Sequence, residues 1–409
     1  MAVTPIAKGI HLTRLTRIAD CLVIAVAVSL PWSTSATVIL LLLWLLLLIP
    51  TLEWPLLRRE LLTAAGGLPV LLFLLGVLGM LWADVSWFER WKGLDSFFKL
   101  MTIPLLLVQF HRSERGWQVF AGYGLSCVVL LLLSTEFYIF PRTAFLFTHD
   151  AAVPVKNAAT QSGEFVTCIF GFLYLAIDYF ERRRWLWVFG LAVLVLAMLA
   201  NMVFVATGRT ALVIIPVLLA ILAIKKLSAR GAIIVFAAAI LIGGIGWFSS
   251  PYLRLRTTEM WTDAQKYEAV NERNSSGERI EFYKKSVGFI AAAPLVGHGT
   301  GSIRSLFEST ISGQTGSAAS PSSNPHNQTF AVAIQLGLLG ASVLWAMWLA
   351  HILLFRGLGL AEWIGLVVVV QNIVGSLFNS HLFDFGQGWV YMLGVGVAGG
   401  IALKNRAAA

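Results

Sequence analysis

Residues 36–52 read ATVILLLLWLLLLIPTL, an apolar run without a single charged side chain. A helix of about 20 such residues spans the roughly 30 Å hydrocarbon core of a bilayer, and a helix apolar on every face belongs in a membrane or deep in a large core. Similar runs recur near 18–32, 67–82, 93–110, 117–135, 164–180, 185–205, 208–224, 232–248, 327–348, 357–378 and 386–403. The whole 409-residue chain is 58% hydrophobic and only 12% charged, where soluble domains carry about one-quarter charged residues. These features predict an all-α polytopic membrane protein with about twelve transmembrane helices, and leave no room for a soluble Rossmann or barrel enzyme. The first run follows Lys8, Arg14 and Arg17. No small-residue cleavage site precedes the second run, so it reads as a retained helix rather than a signal peptide. Cys21, Cys127 and Cys168 lie in or beside apolar runs, at spacings that fit neither a disulfide framework nor a zinc site, and read as packing residues.

The net charge of +9 follows the membrane and argues against a nucleic-acid partner. With the N-terminus in the cytoplasm, sixteen Lys and Arg fall on cytoplasmic segments, among them Arg58, Arg59, Arg182–Arg184, Lys225, Lys226, Lys404 and Arg406; the opposite short segments hold six. Basic residues in short loops resist translocation, so this bias sets the orientation and places both termini in the cytoplasm. The other eight lie within 249–326, a loop long enough to escape the rule. The expected organisation is therefore 1–248 with nine transmembrane helices, 249–326 as an outward loop, and 327–409 with three more. Function is expected on the outward face, because the inward loops are short and are accounted for as topology signals.

Within the long loop, Ser275-Ser276-Gly277-Glu278 has the form of a capping box with Ser275 as N-cap. Ile280, Tyr283, Val287, Ile290 and Ala291 then recur at helical spacing until Pro294, which predicts an amphipathic helix with Arg279 in its first turn. A cation there is disfavoured by the helix dipole; it is met by an anionic ligand, by Glu278 or Glu281, or by water. The following Pro294-Leu295-Val296-Gly297-His298-Gly299-Thr300-Gly301 reads as a tight turn or as a nest of amides that cradles phosphate. In Asn324-Pro325-His326-Asn327, Asn324 as N-cap and Pro325 at the first helical position would put His326 in the first turn of the tenth span. The dipole there keeps an imidazole neutral, as a general base requires; a structural hydrogen-bonding histidine is the other reading. Arg209, in Thr207-Gly208-Arg209-Thr210 at an outer helix mouth, either snorkels to headgroups or faces a polar cavity. Arg142, after Pro141, has the same two readings. No outer loop holds an Asp-x-Asp or Glu-x-Asp pair, so the usual carboxylate grip on a divalent metal is missing.

Taken together, some twelve spans, one long outer loop between the ninth and tenth, Gly208-Arg209, Arg279 in a loop helix, Pro294–Gly299 and Pro325-His326-Asn327 resemble the O-antigen ligases and the related O-antigen polymerases. The likeness in topology covers the whole chain, and the motifs cover some thirty residues between Thr207 and Asn327. The resemblance implies a GT-C-like glycosyltransferase of the bacterial inner membrane. Such an enzyme moves a finished glycan from undecaprenyl diphosphate to the lipid A core at the periplasmic face, inverting, without metal or other cofactor. It implies His326 as base and Arg209 and Arg279 on the diphosphate; Arg142 is a weaker third candidate for that charge, and Asn327, Gly297 and Gly299 would support the site. Thr207 and Thr210 depart from the tyrosine, serine or larger residues common around that first arginine in the family. A polymerase of the same fold, a protein O-oligosaccharyltransferase and a membrane lipid or glycan transporter are the alternative readings.

Overall fold

A computed structural model of the chain describes residues 5–141 and 152–408, with side chains from residue 14 onward. Arg142 lies outside the described residues. Among these residues there are helices and no strands. Each of the twelve apolar runs is helical. They form α1 (Pro5–Ser29), α2 (Thr34–Leu48), α3 with α4 (Trp54–Leu61 and Ala64–Gly79), α5 with α6 (Trp87–Phe98 and Thr102–Arg112), α7 (Gly116–Ile139), α8 (Ala158–Glu181), α9 (Trp185–Phe204), α10 (Arg209–Lys226) and α11 (Ala229–Ser249). After the long loop come α15 (Gln328–Leu354), α16 (Leu360–Gly375) and α17 (Phe385–Ala408). By length and composition eight of the described helices can cross a membrane, nine if α3 and α4, bent by 81° to each other, count as one span. The remaining runs are α1, α10 and the shorter α16.

The loop 249–326 is more ordered than its sequence suggests. It holds three α-helices, α12 (Pro251–Val270), α13 (Ser275–Ala292) and α14 (Ile303–Ser309), and a short 3-10 turn at Gly316–Ala319; of these only α13 was expected. The N-cap of α13 is Asn274, whose side chain accepts from Gly277 N at 2.8 Å. This corrects the capping box by one residue and moves Arg279 into the second turn. The buried face is also different: Phe282 and Ser286 are buried while Val287 is 56% exposed. Phe282 and Phe289 pack on Phe307 of α14 and on the start of α15, which seats the loop helices over the ends of the membrane helices.

Helix pairs approach closely where side chains are small. A Cβ on Gly396 or Gly400 of α17 would lie 2.4 Å from Leu106 or 2.7 Å from Phe110 of α6, so these positions let α17 lie against α6. Polar residues inside the bundle fasten one helix to another. Gln371 donates to Gly163 O at 2.8 Å and Asn201 to Ser134 Oγ at 2.8 Å; left unpaired in hydrocarbon, such groups would cost several kcal/mol each. Of the cysteines, Cys127 and Cys168 are buried as expected, but Cys21 is exposed.

One helix is broken. Gly337 in α15 has φ 63° and ψ −164°, and the turn 294–299 fills the break. His298 N donates to Ile334 O at 2.8 Å, Gly299 N to Gln335 O at 2.9 Å, and Leu338 N to Pro294 O at 2.8 Å. Backbone groups freed inside a membrane protein need partners of this kind. Gly299, at φ 89°, also passes so close to Ala83 that a Cβ would lie 2.4 Å from Ala83 Cα. The His298 and Gly299 amides bond α15, while those of Gly297 and Thr300 bond Ala293 O and Gly79 O, so these amides are engaged within the protein and the segment is a turn rather than a phosphate nest; Gly297 and Gly299 act as a clasp.

Candidate active site

His326 precedes α15 rather than sitting in its first turn. The N-cap is Asn327, accepting from Phe330 N at 3.1 Å, and His326 adopts φ 53°, a left-handed conformation that is uncommon for a non-glycine residue. Several contacts hold it there. Its N–H donates to Asn324 Oδ1 at 2.9 Å, Asn324 also accepts from Ser380 Oγ at 2.7 Å, and the Tyr283 hydroxyl lies 3.2 Å from the His326 carbonyl. The ring stacks on Phe282 at 5.8 Å and 13°.

The tautomer follows from the loop 376–384. Asn379 Nδ2 donates to Asp384 Oδ2 at 2.5 Å, which turns Asn379 Oδ1 toward His326 Nδ1, 3.0 Å away. Asn324 Nδ2 donates to the same oxygen at 3.0 Å. An amide oxygen only accepts, so Nδ1 carries the proton and Nε2 keeps its lone pair. Among the described residues Nε2 has no partner. Burial, then the Arg279 cation, pushes the imidazole pKa below its ordinary value, opposed by the Asn379 hydrogen bond. Burial raises the Asp384 carboxyl to about 6, with Lys99 acting the other way. At neutral pH Asp384 is therefore ionised and able to accept from Asn379.

Arg279, Phe282 and Tyr283 occupy one face of α13, at the i, i+3 and i+4 spacing that brings side chains together. Among the described residues Arg279 has no carboxylate partner. Glu278 is engaged by Arg273 at 3.0 Å and Ser320 at 2.6 Å, and Glu281 by Tyr267 and Lys284. Burial lowers the Arg279 pKa, and the neighbouring Arg209 cation adds to the shift in the same direction.

Arg209 is the first residue of α10. Gly208 caps that helix without a side-chain bond and packs so tightly on α8 that a Cβ would lie 2.9 Å from Ser162 Cβ. Its Nη2 meets Glu259 Oε2 at 3.2 Å, and Arg256 Nη1 meets the same oxygen at 3.2 Å. Among the described residues the buried Nε atoms of Arg209 and Arg256 have no hydrogen-bond partner. Three arginines and one histidine, drawn from α10, α12, α13 and the entry to α15, thus converge on one end of the bundle.

Residues 194–345 match the family described as O-Antigen ligase. The chain carries an O-antigen ligase family domain. It is a multi-pass membrane protein, and the matched domain supports a ligase- or polymerase-type function in general, with glycosyltransferase-like activity. No curated protein matches the chain. The O-antigen ligase domain contains Arg209, Arg256, Arg279 and His326, whereas Asn379 and Asp384 lie outside it. Sequence reading missed Arg256 and Glu259, which sit three apart on a helix without an apolar stripe. It also missed Asn379 and Asp384, in a short loop without a motif. Among the described residues no three His, Cys, Asp or Glu group as metal ligands.

Proposed function

We propose that this protein is an O-antigen ligase of the bacterial inner membrane. In this reading its site faces the periplasm, both termini are cytoplasmic, and it transfers a glycan from undecaprenyl diphosphate to the lipid A core. The observation that carries the reading is Arg279, without a carboxylate partner among the described residues, beside Arg209 and the neutral ring of His326. Guanidinium groups hold phosphate oxygens in a planar fork, and two adjacent cations lacking enough anion define a site that an oligophosphate would complete. His326 Nε2 takes the proton of an acceptor hydroxyl as its oxygen bonds to the anomeric carbon. The bond from that carbon to the diphosphate oxygen breaks, and the electrons pass to the departing lipid diphosphate, whose charge the arginines meet. One displacement inverts the anomeric centre. Arg256 is a third cation, and Glu259 is the carboxylate that the incoming diphosphate displaces.

The charge is met by arginine alone in this reading, so purified protein keeps its activity in excess chelator; loss restored by magnesium or manganese overturns that part. Mass analysis of lipopolysaccharide from cells lacking the protein tests the reaction. A core free of polymer is expected, whereas a core bearing one repeat identifies a polymerase.

A further inference from the structure

A cavity of about 240 Å³ is lined by Ser323, Asn324 and Pro325, the segment that leads directly into His326, although His326 itself does not line it. Its walls include Glu89, Lys92 and Ser96 of α5, Arg304 of α14, and Asn324 and Asp384. The last two also belong to the hydrogen-bond chain that holds His326. None of the cavity's lining residues comes from the helices that carry Arg209, Arg256 or Arg279. The imidazole's neighbours thus point two ways, toward the arginines through Phe282 on α13 and toward this cavity through Asn324.

We infer that this cavity binds a saccharide unit of the acceptor, the sugar whose hydroxyl is activated by His326. The inference rests on the transfer reading above. In an inverting displacement the nucleophile approaches the anomeric carbon opposite the leaving group, so with the diphosphate on the arginines the acceptor enters from the other side of the base. The lining suits sugar hydroxyls, which both donate and accept: Lys92, Arg304 and Ser96 offer donors, and Glu89 and Asp384 offer carboxylate oxygens. The volume lies just below the roughly 300–1,000 Å³ of pockets for drug-sized ligands, room for a sugar ring and not for a polymer. Polymer length is then unread on this side of the site.

The test uses full-length protein in detergent or vesicles, with Ser323→Trp to fill the cavity from its exposed lip and Lys92→Ala to remove a donor. Both variants should raise the acceptor KM by about tenfold, the scale of one or two lost hydrogen bonds, with kcat and donor KM within about twofold of the parent. An unchanged acceptor KM overturns the inference. A shift in the donor KM instead assigns the cavity to the donor glycan and also overturns it. A second measurement does not depend on turnover: saturation-transfer NMR with lipid-free core oligosaccharide should show binding to the parent and to His326→Asn, and none to Ser323→Trp. Equal binding to Ser323→Trp sinks the inference alone, whereas a parent that transfers nothing to core, or a fully active His326→Asn, sinks the transfer reading with it.

Discussion

Replacing His326 should leave the protein inserted and folded while cutting glycan transfer by roughly 100-fold or more, the usual contribution of a positioned general base. The choice of replacement matters because His326 sits at φ 53°. Asparagine tolerates this left-handed conformation well, whereas alanine adds backbone strain of about 1 kcal/mol. His326→Asn and His326→Ala should therefore lose transfer alike and differ only in stability. In the proposed mechanism the active form is the neutral ring, and its pKa lies below the ordinary histidine value. Activity is accordingly full near neutrality and lost as pH falls through that depressed pKa, which puts the acid limb of kcat/KM below about pH 6.5. Asn379→Ala removes the acceptor that fixes the Nδ1 proton and should cost less, because one tautomer remains available part of the time. Near-normal polymer on the core in His326→Asn, or an acid limb above neutrality, removes His326 from the base role.

What the sequence discloses and what it hides follow from the range of the forces involved. Apolar runs are local, and all twelve became helices because a bilayer demands internal hydrogen bonding over each run. Arg209 and His326 stood out as a charge and an imidazole beside membrane helix ends, and Arg279 as a cation near the start of the amphipathic loop helix. The caps were misplaced by one residue at Asn274 and by three at Asn327, since Asn274 and Ser275, and likewise Asn324 and Asn327, are all competent caps. Tertiary partners made the choice: Asn324 spends its side-chain oxygen on His326 N and Ser380, leaving the helix to Asn327. The break at Gly337 was hidden for a related reason. A glycine in an apolar run reads as continuous helix until the 294–299 turn, some forty residues earlier, supplies partners for the opened backbone. Asn379 acts on a ring 53 residues away, a relation that no spacing rule reaches. α12 remained unread because its neighbours α13, α11 and α9, rather than an apolar stripe of its own, hold it in place.

Arg209→Lys and Arg279→Lys should each reduce transfer by roughly 100-fold, although both keep the positive charge. Lysine offers a compact, rotatable ammonium in place of a planar fork of five donors, and the proposed leaving diphosphate would present several oxygens that must be met together as charge develops. The geometry separates this expectation from a purely structural role. Arg279 has no carboxylate to lose among the described residues, so no internal ion pair collapses when it is changed. Arg209 does have one, Glu259, which it shares with Arg256 through a single oxygen 3.2 Å from each. If that carboxylate holds the place of the diphosphate, Glu259→Gln weakens a competitor and the donor KM should fall by about two- to fivefold, the worth of a partly exposed ion pair of up to ~1 kcal/mol. If Glu259 only props up Arg209, the same substitution raises the donor KM and lowers the melting temperature. The opposite signs make one pair of titrations decisive: undecaprenyl diphosphate binding weakened in the two lysine variants and strengthened in Glu259→Gln supports an arginine-lined diphosphate site. Lysine variants that bind and transfer normally leave the arginines as headgroup anchors and require another source of positive charge for the leaving group.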